Sequence, residues 1–287
     1  MTIGTSGFKY ADWKGNFYPD RLRDQDLLRF YAECFDALEV NYTYYQLPSP
    51  RTLEAMAAKA GAGMTFTVKA HADMTHQREN LAAAAPVFRD ALRPLEARQA
   101  LGCVLAQFPY SFRNTPEHRD HLRRLRETLA DVPVVVEFRN ASWYAPATFA
   151  LLREQNMGLC AVDEPDLPRL PPKVVEATSE VGYVRFHGRA AAKWWEHKEA
   201  AERYDYLYSE AELKEWVPKI QALASQTATT FAFFNNHPRG QSPANAFMMR
   251  HALGLPVGRI PKSLIEHYPV LAALTAAEAP PGGSLVP

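Results

Sequence analysis

Eight short β-rich runs alternate with amphipathic helical stretches along this chain, and that alternation constrains its fold more than any other feature. The runs are Thr2–Thr5, Leu38–Tyr42, Met64–Ala70, Leu101–Phe108, Val132–Phe138, Gly158–Val162, Gly182–Phe186 and Thr229–Phe234. Several are nearly continuous in apolar or β-branched residues, as in Val134-Val135-Val136. Such runs predict parallel strands covered on the outside by helices.

Helical periodicity between the runs is clear. Leu27, Leu28, Tyr31 and Phe35 form one apolar stripe. Val87, Phe88, Ala91, Leu92 and Leu95 form a second, and Leu122, Leu125 and Leu129 a third. Thr115-Pro116 and Ser242-Pro243 each place a capping hydroxyl before a proline at the first helical position, and Ser209 with Glu212 fits a capping box. Leu213, Trp216, Val217, Ile220 and Leu223 give the helix that follows a buried face.

Eight such units form either a closed barrel or an open doubly wound sheet. The count favours the barrel. So does Gly4-Thr5-Ser6-Gly7 after the first strand, which lacks both the GxGxxG spacing and a P-loop lysine. The predicted fold is therefore a single-domain α/β TIM barrel over residues 1–274. Pro165, Pro168, Pro171 and Pro172 predict irregular chain in place of the sixth helix, and residues 275–287, rich in Ala, Pro and Gly, predict a flexible tail.

Composition narrows the function. Hydrophobic residues make up 47% of the 287, enough for a closed core. The 32 basic and 32 acidic residues give no long-range field to gather a polyanion. Cys34, Cys103 and Cys160 are too sparse for a disulfide framework or a metal knuckle and predict buried thiols. No run is long and apolar enough to span a membrane and no signal-like start appears, so the expectation is a soluble cytoplasmic protein.

Parity within the strands places the polar residues. Alternate side chains of a barrel strand face inward. By this rule Glu39, Asn41 and Thr43 share one face of the second strand, Lys69 and His71 one of the third, and Glu137 and Arg139 one of the fifth. Gln107 comes from the fourth, Asp163 ends the sixth, Arg185 and His187 share a face of the seventh, and Asn235 and Asn236 end the eighth. All fall near the C-terminal ends, where barrel enzymes carry their active sites. Trp143-Tyr144, the run Lys193-Trp194-Trp195-Glu196-His197-Lys198 and Tyr204-Asp205-Tyr206-Leu207-Tyr208 lie in loops of the same end, as ligand contacts or as packing. Tyr206 is the expected contact.

The residues also resemble a known family. Ile3-Gly4-Thr5-Ser6-Gly7 with Trp13 and Phe17-Tyr18-Pro19 is similar to the opening of the bacterial family called domain of unknown function seventy-two. Glu39-Val40-Asn41 with Tyr44-Tyr45, Val136-Glu137-Phe138-Arg139 with Trp143, and Arg185-Phe186-His187-Gly188 continue the resemblance, as do Tyr204-Asp205-Tyr206-Leu207-Tyr208 and Phe234-Asn235-Asn236-His237. The resemblance runs to about residue 255, implies a TIM barrel and supplies no reaction.

Three functional readings follow. In the first, Lys69, Arg139 and Arg185 hold a small polar or anionic ligand such as a sugar phosphate. Glu39, Asn41, Tyr206, Asn235 and Asn236 complete its site, and Glu137, Asp163 or His187 acts in proton transfer. A self-satisfied salt-bridge network is the structural alternative for the same charges. In the second, Glu137, Asp163 and His187 hold a divalent metal for an isomerase, epimerase or hydrolase, against which stand the two nearby arginines. In the third, the Trp194–Lys198 patch and Arg119, Arg123, Arg124 and Arg126 bind nucleic acid or protein without catalysis, which the neutral net charge opposes. A Schiff base on Lys69 is a fourth chemistry. It requires a depressed amine pKa that the sequence alone does not show.

Overall fold

In the computed structural model, which describes residues 1–277, eight parallel strands close into one barrel in sequence order. They are β1 (Thr2–Ser6), β2 (Ala37–Val40), β3 (Thr65–Lys69), β4 (Leu101–Gln107), β5 (Val134–Glu137), β6 (Met157–Asp163), β7 (Val181–Phe186) and β8 (Thr229–Phe234). The ring is sealed between β1 and β8, with Thr2 opposite Phe231 and Thr5 opposite Phe234. Each begins and ends within two residues of its predicted run, and β8 coincides with it.

The two faces of the strands separate into two packed layers. Ala37, Cys103, Leu105, Val135, Cys160, Val162, Tyr183, Phe231 and Phe233 fill the interior, with Tyr183 and Phe233 ring centroids 5.4 Å apart. Leu38, Val40, Phe66, Val68, Val104, Val136, Val184 and Phe234 look outward into the layer beneath the helices. Small interior residues are needed where these aromatics crowd. A Cβ at Gly4 would run into the Ala37 carbonyl and lie 3.1 Å from the Phe233 ring. The three cysteines are free and buried.

The helices follow the expected stripes with local differences. Leu27, Leu28, Tyr31 and Phe35 are buried, as are Leu122, Leu125 and Leu129. In the helix Leu81–Ala97 the buried stripe is Ala84, Ala85, Phe88, Ala91, Leu92 and Leu95, while Val87 is half exposed. Thr115 caps its helix by accepting from the His118 amide at 3.3 Å, and Ser209 forms the capping box with Glu212. Ser242 caps nothing. A 3-10 turn over Pro238–Gly240 leads directly into the helix Gln241–Ala252, so Ser242 falls buried within its first turn. The helix predicted through Trp216 is two helices, Glu210–Lys214 and Val217–Ala224, with Pro218 at the second position of the latter.

Between β6 and β7 the chain has no helix, as its prolines predict. The last short helix, Ala272–Ala277, runs past residue 274 into the stretch expected to be flexible. Residues 278–287 of that predicted tail lie outside the described residues. Among the described residues no helix is long and apolar enough to cross a membrane.

Candidate active site

The strands deliver a tier of charged side chains to the top of the interior, directly above the aromatic plug. Arg185 on β7 occupies its centre and is 2% exposed. Its guanidinium forks onto Glu39 of β2, donating from Nε to Oε2 at 2.9 Å and from Nη2 to Oε1 at 2.6 Å. Nη1 donates to Glu137 Oε2 of β5 at 2.6 Å, and Nη2 also reaches Ser6 Oγ of β1 at 3.3 Å. Tyr183, one step below Arg185, donates its hydroxyl to Glu39 Oε2 at 2.7 Å and sits 2.9 Å from Thr67 Oγ1. Glu39 and Glu137 are wholly buried, which is tolerable only because each carboxylate is ion-paired and hydrogen-bonded.

Glu137 joins this tier to a second set of groups. Its Oε1 lies 3.1 Å from His187 Nε2 and 2.5 Å from Arg139 Nε. Burial alone would raise the Glu137 carboxyl. Arg139, Arg185 and His187 prevail and hold it well below the usual carboxylate range. Arg139 Nη1 in turn donates to Glu164 Oε2 at 3.1 Å. Glu164 is pushed up to about 8 by burial, which Arg139 only partly offsets, so it is protonated at neutral pH. His187 is drawn down to about 3 by burial and by Arg139, against the pull of Glu137. Its neutral ring is fully engaged. Nε2–H donates to Glu137, and Nδ1 accepts from Asn235 Nδ2 at 3.1 Å.

Above the tier opens a cavity of about 680 Å³. Lys69, Arg139, Asn41, Gln107 and Asn235 supply its polar lining, while Tyr10, Tyr42, Tyr45, Tyr204 and His237 form aromatic walls. Tyr10 is stacked on His237 at 4.3 Å and fixed by donating to the Ser6 carbonyl at 2.6 Å. A smaller hollow of about 310 Å³ adjoins the cavity across Lys69, Arg139 and Tyr204, and Trp194, Trp195, Tyr110 and His76 close its far side.

Lys69 is the exception among these charges. It ends β3, and its ammonium lies 4.6 Å from the centroid of the Tyr44 ring. Among the described residues no carboxylate forms an ion pair with it, whereas Arg139 and Arg185 are both paired. Burial, and then the nearby Arg185, draw Lys69 down to about 7 against the support of Glu137 and Glu39. Burial and Lys69 together draw the neighbouring His76 down to about 4. Asn41, another lining residue, has a buried Oδ1 with no hydrogen-bond partner among the described residues.

Of the predicted residues, Glu39, Asn41, Lys69, Arg139, Arg185 and Asn235 line the cavity, and Glu137 and His187 lie beneath them. Three do not belong to the group. Asp163 points outward, accepting from Trp216 Nε1 at 2.5 Å, Tyr208 Oη at 2.8 Å and Arg189 Nη2 at 2.7 Å. The cause is parity: Cys160 and Val162 fill the interior, so Glu164 takes the next inward place. Asn236 likewise turns away from Asn235, donating to the Tyr206 carbonyl at 2.7 Å and to Asn245 Oδ1 at 2.8 Å. Tyr206 packs over Gly188 and donates its hydroxyl to Glu212, and Tyr204 takes the cavity-facing place expected for it.

The metal trio drawn from sequence therefore does not converge. Glu137 and His187 touch, but Asp163 faces the helices. Among the described residues no three His, Cys, Asp or Glu side chains gather as a metal site. The loop aromatics divide between packing and lining. Trp143 is buried, stacked on Phe138 at 4.3 Å and donating to the Phe112 carbonyl at 2.7 Å. Trp194 is buried, while Trp195 and Tyr45 are 52% and 82% exposed at the rim. The sequence reading missed Glu164 and Tyr10, and it named Tyr204 and His237 only within longer motifs without singling them out. Glu164 was within reach by counting two from Val162, whereas no periodicity marks the other three.

A family model described as "Protein of unknown function DUF72" matches residues 2–267. The chain is similar to the UPF0759 protein YunF of Bacillus subtilis (strain 168), with 29% identity over 269 residues, 88% of this chain and 94% of that protein. Among solved structures, a DUF72 family protein of Thermotoga maritima MSB8 matches with 37% identity and a TM-score of 0.81, covering 88% of this chain and 98% of its own. A DUF72 family protein of Enterococcus faecalis V583 matches with 25% identity and a TM-score of 0.79, covering 91% and 98%.

Proposed function

This chain belongs to the DUF72 family, a family of unknown function, and we propose that it binds and acts on a small, polar, anionic ligand in the cavity at the C-terminal mouth of its barrel. The observation that carries this reading is Lys69, set in the cavity wall without a carboxylate partner among the described residues while the two neighbouring arginines are already paired. Lys69 is partly buried, a charge held there without an ion-pair partner is unfavourable, and an anion in the cavity is the group that would offset it.

The rest of the lining suits such a ligand. Asn41 Oδ1 would accept a hydrogen bond from a ligand hydroxyl, and Gln107 and Asn235 add polar contacts. The tyrosine walls would cover the apolar faces of a ring or chain. Glu39 in the cavity lining and Glu137 beneath it orient the two guanidinium groups. His187, with both ring nitrogens engaged, positions Glu137 and Asn235. Lys69 is the cavity group balanced between its two protonation states near neutrality, which suits it to move a proton as well as to hold charge.

A thermal-unfolding comparison tests this reading with inorganic phosphate, ribose 5-phosphate and gluconate against neutral ribose. A ligand at a hundred times its dissociation constant stabilises by about 2.7 kcal/mol. At about 2–4 °C per kcal/mol, that shift is readily measured. Stabilisation by at least one anion, absent in Lys69→Met, is expected. Equal stabilisation of both proteins, or of neither by any anion, defeats the assignment.

A further inference from the structure

Lys69 has a feature that charge pairing alone does not use: it lines open cavity, and among the described residues no acceptor or carboxylate engages its amine. The Tyr44 ring supports one side of the side chain, and Arg139 and Gln107 line the cavity beside it. Arg139 and Arg185 engage Glu39, Glu137 and Glu164, so these carboxylates are already committed while the two guanidinium groups stand as like charges near the amine. This is the environment in which a lysine serves as a nucleophile, desolvated and beside other cations.

Resting on the anion-binding reading above, we propose that Lys69 forms a reversible imine with a small anionic aldehyde or ketone bound in the mouth cavity. The neutral amine attacks the carbonyl carbon, its lone pair forming the C–N bond as the C=O π electrons move to oxygen. The two nitrogen protons leave with that oxygen as water, and the C=N bond forms. Protonation of the imine nitrogen restores the positive charge at the position Lys69 held, opposite the ligand's own anion. Nothing is oxidised or reduced, and water is the only leaving molecule. The amine's fall to about 7 leaves about half of it neutral at pH 7, whereas an ordinary lysine is almost wholly protonated there.

The test uses pyridoxal 5′-phosphate, an anionic aromatic aldehyde, as the probe. The protein is mixed with an equimolar amount at neutral pH, reduced with borohydride, and mapped by peptide mass. The expected result is labelling of Lys69 at least about tenfold faster than of Lys262, whose side chain is 91% exposed. Lys69→Arg, which keeps the charge and cannot form the imine, should lose that label and retain stabilisation by pyridoxine 5′-phosphate, which lacks the aldehyde. If pyridoxine 5′-phosphate stabilises the protein through Lys69 but borohydride fixes the aldehyde on Lys69 no faster than on Lys262, the imine is wrong and the anion cavity stands. If pyridoxine 5′-phosphate gives no stabilisation, ribose 5-phosphate gives none either, and no preferential label forms, both readings fall together.

Discussion

Arg185 and Glu39 meet inside the barrel through two near-parallel contacts, Nε to Oε2 at 2.9 Å and Nη2 to Oε1 at 2.6 Å. The pair lies at the floor of the mouth cavity and ties β7 to β2. Arg185→Met would leave Glu39 and Glu137 buried without their shared cation, and breaking a buried pair from one side costs about 3–5 kcal/mol. Glu39→Leu combined with Arg185→Met removes one of the stranded charges and should recover part of that loss. Denaturant unfolding of the single and double variants measures it. A fully additive double variant would show that the contact contributes no coupling.

Asp163 holds the outer layer together through Tyr208, Trp216 and Arg189 and takes no part in the cavity. Asp163→Asn weakens these charge-assisted bonds and is expected to cost about 2–3 kcal/mol. On the proposed anion binding, protection of the folded protein by ribose 5-phosphate should be the same in this variant as in wild type. Loss of that protection at unaltered stability would move Asp163 into the functional site.

Lys69 makes stability depend on pH in a defined direction. Its folded value is about 7, against an ordinary 10.5. Between these values the unfolded chain holds the proton and the folded chain does not, so wild-type stability rises with pH across that window, by about 1.4 kcal/mol per pH unit at most. Lys69→Met lacks the rise. Its advantage over wild type should be greatest below pH 7 and shrink toward pH 10, as read from unfolding midpoints. A gap constant with pH would contradict the placement of this amine.

Glu164 acts with the opposite sign. Its folded value of about 8 lies above the ordinary 4.5, so the folded chain holds the extra proton in between. The stability this provides is present in full at low pH and is lost as pH rises from about 4.5 to 8. Glu164→Gln should flatten that decline. An unchanged slope would mean that Glu164 is ionised beside Arg139 at neutral pH.

Much of this architecture was legible in the sequence, because strand period and apolar stripes are properties of the chain itself. Glu39, Lys69, Glu137 and Arg185 were found by parity, since each strand keeps its alternation to its last residue. Asp163 and Asn236 were misplaced for the same reason in reverse. Each neighbours an inward residue, and parity allows only one of two adjacent side chains to face the interior. Tyr204, Tyr10 and His237 come from irregular loops, where tertiary contacts rather than a repeat decide which ring turns inward. The pairing of Arg185 and the isolation of Lys69 were beyond any sequence reading, because both depend on which charges meet across the ring.

Proton uptake on ligand binding tests the central claim, that Lys69 is the cation awaiting an anion, most directly. Ribose 5-phosphate is titrated calorimetrically at pH 8 in two buffers of different ionisation enthalpy. At that pH the phosphate, with a second pKa of about 6, is already a dianion, while Lys69, at about 7, is mostly neutral. Pairing the two must therefore draw close to one proton from the buffer, and Lys69→Met must abolish that uptake. Binding with no proton uptake, or with the same uptake in Lys69→Met, would contradict the account.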